Sequence, residues 1–320
     1  MKIVILERNS VGPDVSVDCI KELGDVSIYP NTLTKEEIKE RVKDAEIIMA
    51  NKSPLNEETL RDAPHVRLIC ELATGYDNCD LDYCNTRGIK VANVVDYSTA
   101  MVAQHTFTLA LALGQTLSYY DDYVKSGKYS AQERFSCFDI PFYELDGKTW
   151  GIVGMGHIGT RVAKIAEAFG CRVLFHSITG NNTCTRYTQV DKDTLLQESD
   201  YLSLHCPLSE LSRNYIDAEA LKKMKKTSVL INVARGQVVD NTALYEALTA
   251  KEIRAAGLDV LEQEPLTASN PLSRIKDSRR LIITPHLAWA SVEARTRCVE
   301  SACENVKAFL RGENRNIVNP

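Results

Sequence analysis

Short runs of β-branched and other apolar residues recur along the chain, each followed by a turn and then by apolar residues at helical spacing. In the first hundred residues this pattern predicts five strands, at Lys2–Leu6, Asp25–Tyr29, Ile47–Ala50, Leu68–Glu71 and Lys90–Ala92. Helical spacing over Lys35–Arg41 and Asn56–Ala63 lies between them. Strands that alternate with helices are typical of parallel sheets with crossover helices. We therefore predict an α/β fold that begins with a flavodoxin-like domain of five strands.

A second series of strands follows a long helical pattern. Apolar residues recur near a 3.6-residue period between Tyr97 and Gly127, as in a helix that joins two lobes or packs against another subunit. After a polar loop the pattern predicts six strands, at Thr149–Val153, Arg172–His176, Tyr201–His205, Ser228–Asn232, Ala255–Asp259 and Arg280–Thr284. Six strands suit a doubly wound Rossmann domain. A last helix, Ser291 to about Arg311, is expected to return to the first lobe.

Composition and charge exclude several classes of function. The chain has 320 residues, 44% of them hydrophobic and 25% charged, and its formal net charge is −5 without long runs of one sign. This balance argues against nucleic acid or an anionic membrane as a partner. Because the first residues do not resemble a signal peptide and no stretch has about 20 apolar residues, we expect a cytoplasmic protein.

The ten cysteines contain no CxxC pair, and several lie in apolar runs. Free cysteine packs as a small hydrophobe in such positions. We therefore expect reduced structural thiols and predict no metal site.

A glycine motif stands between a predicted strand and a predicted helix. Gly154, Gly156 and Gly159 form a GxGxxG sequence directly after Val153. In this context the motif predicts a dinucleotide site, with the pyrophosphate at the helix N-terminus where His157 and Ile158 begin the first turn. A glycine turn without a ligand is the alternative interpretation.

The residue expected to hold the adenosine ribose is unusual. Ser177 follows the second strand of this domain, where a dinucleotide site normally has a carboxylate. No negative charge would then repel the 2′-phosphate of NADP, yet the nearest downstream arginine is Arg186. We predict NAD as the cofactor, with NADP as the alternative.

Three polar residues follow the last strands, and ligands of open α/β sheets bind at these strand ends. Arg235 could bind a carboxylate through two parallel hydrogen bonds. His286 could exchange a proton near neutral pH, and Glu264 could orient the imidazole. Singly, they could equally be a surface ion-pair former, a buried histidine and a helix cap.

These segments resemble the D-isomer-specific 2-hydroxyacid dehydrogenase family over essentially the whole chain. The resemblance is carried, in the family's order, by the glycine motif, His205 to Leu208, Val233 to Gly236, Asp259-Val260 with Glu264-Pro265, and Thr284 to His286. It implies two doubly wound parallel-sheet domains: a flavodoxin-like substrate domain of residues 1–98 and 287–320, and a Rossmann NAD-binding domain of residues 99–286.

The resemblance also implies a set of site residues. Arg235, Glu264 and His286 would be catalytic, with Arg235 and His286 also contacting substrate and cofactor. Further cofactor-binding residues would be Cys206, Pro207, Val233, Ala234 and Asp259. Further substrate-binding residues would be Lys52, Ala73, Thr74, Gly75 and Trp289, with the substrate carboxylate on backbone N–H groups near Thr74 and Gly75.

Within this family the segments Asn51-Lys52, Ala73 to Gly75, Val102 to Thr106 and His286 to Ser291 look most like the glycerate dehydrogenase or hydroxypyruvate reductase branch. The expected reaction is the reduction of hydroxypyruvate or glyoxylate to an (R)-2-hydroxy acid. D-Lactate dehydrogenase is an alternative, and an NAD-sensing interaction protein on the same scaffold is an alternative of another class. The family is typically dimeric, and the helix Val102–Leu113 is the segment expected at the interface.

Overall fold

In this computed structural model, which describes residues 1–319, the chain forms two compact units. Unit 1 contains Met1–Ser98 and the residues from Trp289 onward, and unit 2 contains Thr99–Ala288. The second boundary lies two residues later along the chain than the sequence predicted.

Unit 1 is built on a five-stranded parallel sheet. Its strands are β1 (Lys2–Ile5), β2 (Asp25–Ile28), β3 (Ile47–Ala50), β4 (Leu68–Glu71) and β5 (Lys90–Ala92). Their order is β2-β1-β3-β4-β5, as in flavodoxin-like domains, and their number is the one that the sequence predicted. Strands β3 and β4 are buried along their whole length, as expected of a sheet covered on both faces.

The helices of unit 1, except the first, begin where polar side chains cap them. They are α1 (Asp18–Lys21), α2 (Lys35–Val42), α3 (Glu57–Leu60), α4 (Leu81–Arg87) and the carboxyl-terminal helix, α11 (Val292–Leu310). Thr34 and Glu37 form a reciprocal capping box on α2, and Ser291 caps α11. Helix α11 buries Cys298, Ala302 and Val306 and packs against β4, so the chain's last helix returns to the first unit as predicted.

Unit 2 is built on a parallel sheet of seven strands. They are β6 (Thr149–Val153), β7 (Arg172–His176), β8 (Thr188–Gln189), β9 (Tyr201–Leu204), β10 (Val229–Asn232), β11 (Ala255–Leu258) and β12 (Leu281–Ile283). The order β12-β11-β10-β9-β6-β7-β8 is the doubly wound order of a Rossmann domain. The sequence predicted six of these strands. It missed β8, because this strand has only two residues, both exposed and polar.

In unit 2, two helices precede the first strand and four lie between successive strands. They are α5 (Thr99–Gly114), α6 (Leu117–Lys125), α7 (His157–Ala168), α8 (Lys192–Glu198), α9 (Ala218–Lys223) and α10 (Asn241–Ala250). Short 3-10 helices occur at Arg8–Val11 in unit 1 and at Gly236–Val238 and Pro271–Arg274 in unit 2.

The long helical pattern after Tyr97 is two helices rather than one. The chain breaks between α5 and α6 at Thr116, whose φ of 51° lies in the left-handed region. The prediction that the helix Val102–Leu113 lies at a subunit interface stays a prediction, and its apolar residues already have partners within the chain. Val102, Leu109 and Leu113 are buried inside unit 2, where α5 packs on α7, β10 and β11.

All ten cysteines are free in the described part of the chain, and seven of them are buried. Across residues 1–319 no helix is long and apolar enough to cross a membrane.

Candidate active site

The turn between β6 and α7 has a shape that only glycine permits. Gly154 has a φ of +91°, and a Cβ there would lie 2.9 Å from the backbone nitrogen of Cys206. A Cβ on Gly159 would overlap the carbonyl oxygen of Gly154. The turn is therefore folded tightly against the start of its own helix and against the end of β9.

This turn fits a nicotinamide dinucleotide. A Cβ added to Gly156 would meet no atom within 4 Å, so this side of the backbone is open to an approaching group. Gly156 is also the N-cap of α7, and no side chain caps the helix there. His157 and Ile158 begin this twelve-residue helix, whose N-terminus is the kind of site that binds a diphosphate.

The position predicted to hold the ribose lies at the end of β7. Ser177 follows this strand and is half-buried. Arg186 has its guanidinium 2.6 Å from the carboxylate of Glu167 on α7, and both side chains are exposed. Cys206 is buried directly after β9, and Pro207 next to it is exposed.

A buried asparagine shapes the turn that carries Arg235. The Asn232 Oδ1 accepts a hydrogen bond from the N–H of Ala234 at 3.0 Å, and its Nδ2 donates to the carbonyl of Arg235 at 2.9 Å. Asn232 is fully buried at the end of β10, and Val233 beside it is buried as well. A Cβ on Gly236 would overlap the backbone of Leu261, so the Arg235 turn lies directly against the segment that leads to Glu264.

His286 and Glu264 are in direct contact. The His286 Nδ1 lies 2.7 Å from the Glu264 Oε2, and the other carboxylate oxygen accepts the N–H of Leu261 at 3.0 Å. About 30% of the His286 side chain and 32% of the Glu264 side chain are exposed, so the pair is open to solvent on one side. Because a carboxylate only accepts, Nδ1 carries the hydrogen, and Nε2 is the ring nitrogen that can exchange a proton with a ligand.

The turn that carries His286 is held by Asp259. His286 has a φ of 56°, which is uncommon outside glycine. Its N–H donates to the carbonyl of Asp259 at 2.9 Å, while the N–H groups of Leu287 and Ala288 each donate to the Asp259 carboxylate at 2.7 Å. Both carboxylate oxygens of Asp259 are therefore engaged in fixing this turn.

A second histidine of this unit is not suited to donate a proton. Burial lowers the pKa of His205 to about 3, so its ring is neutral at physiological pH. Its Nε2 lies 3.0 Å from the Ser203 hydroxyl, which also accepts the indole N–H of Trp150 at 2.9 Å.

The loop after β4 in unit 1 is tied to the segment after β5. The Val94 N–H donates to the Ala73 carbonyl at 2.9 Å, the Thr74 hydroxyl donates to the Val94 carbonyl at 2.8 Å, and Asn93 donates to the Thr74 carbonyl at 2.7 Å. Thr74 is exposed and Gly75 is half-buried. The loop therefore presents a fixed backbone at the carboxyl end of the sheet.

Glu7, which the sequence reasoning missed, anchors the segment that carries Lys52. Its carboxylate accepts the backbone N–H groups of Asn51, Lys52 and Ser53, at 3.1, 3.4 and 2.6 Å, and also the Ser53 hydroxyl. The Lys52 side chain is exposed. Because Glu7 follows β1 and Lys52 follows β3, their meeting depends on the strand order and not on local sequence.

Trp289 is half-buried in unit 1 and packs edge to face on Tyr97, with 6.3 Å between ring centroids. The carbonyl of Tyr97 accepts a hydrogen bond from Arg297 at 3.0 Å, which ties the segment before α5 to α11.

Unit 1 also contains a buried carboxyl group that the sequence pattern concealed. Glu71 is the last residue of β4 and is fully buried. Its Oε1 accepts from the Asn78 amide and from the Cys79 thiol, both at 3.0 Å, whereas no described atom is within hydrogen-bond distance of Oε2. Burial raises the pKa of Glu71 to about 7. A single glutamate at the end of an apolar strand gives no sequence pattern that predicts its burial; its one unusual feature is a charged residue type in an apolar run.

The structure thus brings Glu264, His286 and Asp259 together in unit 2 and places the Arg235 turn against the same segment. Lys52, Ala73, Thr74, Gly75 and Trp289 belong to unit 1. In the described residues no cluster of three His, Cys, Asp or Glu side chains is arranged to hold a metal ion.

Comparison with known proteins identifies this arrangement. The family described as D-isomer specific 2-hydroxyacid dehydrogenase, NAD binding domain, matches residues 107–288, which is more than half of the chain. The chain belongs to this family. It is 39% identical to a glycerate dehydrogenase of Methylorubrum extorquens over 99% of this chain and 98% of that protein. It is 37% identical to a hydroxypyruvate reductase of Blautia hydrogenotrophica over the whole of both chains.

A solved relative shares the fold over its full length. The crystal structure of a D-lactate dehydrogenase from Aquifex aeolicus, complexed with NAD and lactic acid, matches with a TM-score of 0.85 and 31% identity, covering 100% of this chain and 99% of that one. As a D-2-hydroxyacid dehydrogenase, the chain is an oxidoreductase that acts on the CH–OH group of a 2-hydroxy acid with NAD as its cofactor. The predicted family, fold class and type of reaction are confirmed.

Proposed function

We propose that this D-2-hydroxyacid dehydrogenase reduces hydroxypyruvate or glyoxylate, and that His286 is the proton donor. The contact of 2.7 Å between His286 and Glu264 carries the proposal about the proton donor. Two observations support the substrate. A glycerate dehydrogenase and a hydroxypyruvate reductase are among the relatives that are similar over nearly the full length, and the bulky Trp289 favours a small 2-oxo acid.

Each residue of unit 2 has a separate task in this proposal. Glu264 accepts the Nδ1–H of His286, fixes the ring orientation and stabilises the imidazolium, so that Nε2 can deliver a proton to the substrate's carbonyl oxygen. Arg235 binds the substrate through its planar guanidinium, which polarises the carbonyl and holds the carboxylate. When bound, NADH would supply the hydride that the carbonyl carbon of the substrate accepts.

In unit 1 we assign the substrate carboxylate to the backbone of the loop at Ala73, Thr74 and Gly75. The hydrogen bonds to Val94 and Asn93 already hold this loop, so binding an anion there requires little ordering of the backbone. The Lys52 ammonium would add positive charge, and Trp289 would limit the size of the substrate.

The cofactor contacts are likewise proposed. Gly154, Gly156, Gly159, His157 and Ile158 would hold the diphosphate, and Ser177 the ribose. The remaining residues of the NAD-binding set are Cys206, Pro207, Val233, Ala234 and Asp259. We propose NAD as the preferred dinucleotide, because the nearest arginine downstream of Ser177 is Arg186, which is paired with Glu167.

We further propose a homodimer that works in the cytoplasm. Segment 117–143 exposes a group of large apolar side chains, which is typical of an interface. Its members are Leu117, Val124, Tyr129, Phe135, Phe138, Phe142 and Tyr143. The ten free thiols suit a reducing compartment.

The test is oxidation of NADH at 340 nm with hydroxypyruvate, glyoxylate, pyruvate and 2-oxoisocaproate, repeated with NADPH. Rapid turnover of hydroxypyruvate or glyoxylate supports the substrate assignment, whereas preference for pyruvate would make the chain a D-lactate dehydrogenase. His286→Ala should lower turnover by about 10²–10⁴-fold while NADH affinity is kept. Unchanged turnover in this variant would remove His286 from the reaction.

A further inference from the structure

Helix α5 contributes a buried histidine to the residues behind His286. His105 is 7% exposed, and its Nε2 lies 2.9 Å from the Thr284 hydroxyl and 3.5 Å from the Asp259 carboxylate. Because 179 residues separate His105 from Thr284, this contact has no counterpart in the local sequence. His105 is not among the residues to which the proposed function gives a role.

The protonation state of Asp259 fixes the direction of the hydrogen bonds that link His105, Thr284 and Asp259. Burial raises the pKa of Asp259, but hydrogen bonds from His105, Thr284 and the backbone of Ala288 and Leu287 outweigh it and keep the pKa below the usual range. Asp259 is therefore a carboxylate that only accepts. The single hydroxyl hydrogen of Thr284 is donated to Asp259 at 2.5 Å, so the hydroxyl must accept from His105, and the His105 Nε2 carries a hydrogen.

The hydrogen bonds from His105 through Thr284 to Asp259 lead to the turn that carries His286. Asp259 accepts the N–H groups of Leu287 and Ala288 with its carboxylate, and that of His286 with its carbonyl. A non-glycine residue in the left-handed region, such as His286, is strained and persists only when surrounding contacts hold it. If Asp259 moved, its three backbone partners would follow, and the imidazole would leave its place beside Glu264.

We propose that His105 is a positioning residue for the reaction: through Thr284 and Asp259, its Nε2–H holds the turn that keeps His286 against Glu264. This inference rests on the proposed role of His286 as proton donor. His105 itself neither contacts that ring nor exchanges a proton during turnover in this account. Its contribution is the Nε2–H, which lies against the Thr284 hydroxyl at 2.9 Å and near the Asp259 carboxylate at 3.5 Å.

The experiment compares His105→Leu, which removes the donor, with His105→Gln, whose amide can replace the Nε2–H. We expect kcat for the 2-oxo acid to fall by about 10–10²-fold in His105→Leu, the size of effect that a small displacement of a catalytic group produces. The alkaline limb of the kcat/KM profile for reduction should move to lower pH, because a displaced imidazolium loses its carboxylate partner. His105→Gln should recover most of the rate and the original pH profile.

A spectroscopic measurement on the protein without substrate is independent of turnover. The Nδ1–H of His286, shared with Glu264, should give a low-field ring-proton signal in wild-type enzyme and in His105→Gln. In His105→Leu the signal should be lost or shifted upfield. A packing role alone would lower stability in both variants without rescue by glutamine.

Thr284→Val and Thr284→Ser form a second pair in case His105→Leu does not fold. Valine removes the hydroxyl and should reproduce the loss of rate, whereas serine keeps the hydroxyl and should not. The inference is overturned if His105→Leu or Thr284→Val retains the wild-type kcat and pH profile. It is also overturned if kcat falls as far in His105→Gln as in His105→Leu, or as far in Thr284→Ser as in Thr284→Val. Failure of the proposed function is separate, since it would show as full activity in His286→Ala.

Discussion

The buried carboxyl group of Glu71 makes the stability of unit 1 depend on pH in a way that one substitution should remove. A glutamate ordinarily titrates near 4.5, whereas burial raises the pKa of Glu71 to about 7 in the folded chain. The folded state therefore holds this proton more tightly than the unfolded state does. Its contribution to stability is fully present below pH 4.5 and is lost as the pH rises through about 7.

The magnitude follows from this difference in pKa. Multiplying the difference between about 7 and 4.5 by about 1.36 kcal/mol per pH unit gives about 3 kcal/mol. The contacts explain why the ionised form is not rescued. Only Oε1 has partners, in Asn78 and Cys79, while Oε2 is buried without a partner and the Glu7 carboxylate adds like charge nearby. Lys52 offsets part of this repulsion.

Glu71→Gln keeps the shape of the side chain and cannot ionise. The buried amide adds a cost of its own, about 1–3 kcal/mol if its N–H groups find no acceptor, but this cost is the same at every pH. We therefore compare the free energy of unfolding of the variant with that of the parent at pH 5 and at pH 8. The variant should gain about 2.5 kcal/mol relative to the parent between these two pH values, because part of the contribution is already lost at pH 5.

The assay is urea unfolding followed by tryptophan fluorescence in a Trp150→Phe background. The chain has two tryptophans, and Trp289 is the one in unit 1, so its emission reports on the unit that contains Glu71. Glu40→Gln, an exposed position on α2, is the matched control and should follow the parent at both pH values. Parallel pH dependences for parent and Glu71→Gln would refute the argument that Glu71 takes up a proton on folding.

Three further predictions concern unit 2. Arg235→Lys retains the charge and loses the two parallel hydrogen bonds, so steady-state kinetics should show KM for the 2-oxo acid raised by about 10–100-fold, and a wild-type KM would exclude bidentate binding. Glu264→Gln removes the anion beside His286 and should move the alkaline limb of the kcat/KM profile for reduction to lower pH, whereas an unmoved limb would leave Glu264 a structural role only. Ser177→Asp should raise the ratio of kcat/KM for NADH over NADPH by about tenfold or more, because a carboxylate repels the 2′-phosphate. An unchanged ratio would mean that Ser177 does not face the ribose.

The elements of this fold were predictable because they are local. The apolar runs that form β3, β4 and β5 end in the structure where the sequence pattern ended them, and capping residues such as Ser291 start their helices where expected. The errors have equally local causes. Strand β8 is too short and polar to give a pattern, and nothing in the apolar spacing around Thr116 signals the break between α5 and α6.

The candidate site divides in the same way. Arg235, Glu264, His286 and the glycine turn could be singled out from the sequence, because they stand in segments after predicted strands and match the family that the chain resembles. Glu7, Asn232 and Glu71 stand at such ends too, but no spacing indicates which backbone or side-chain groups they will meet.

The side-chain contacts that support the candidate site could be known only from the folded structure. Apolar spacing predicted helix α5, but only folding packs this helix against β10 and β11 and brings His105 to Thr284. The physical reason is range: strand and helix patterns arise from neighbours within a few residues, whereas a buried polar group is satisfied by whichever donors the packing of distant segments places beside it.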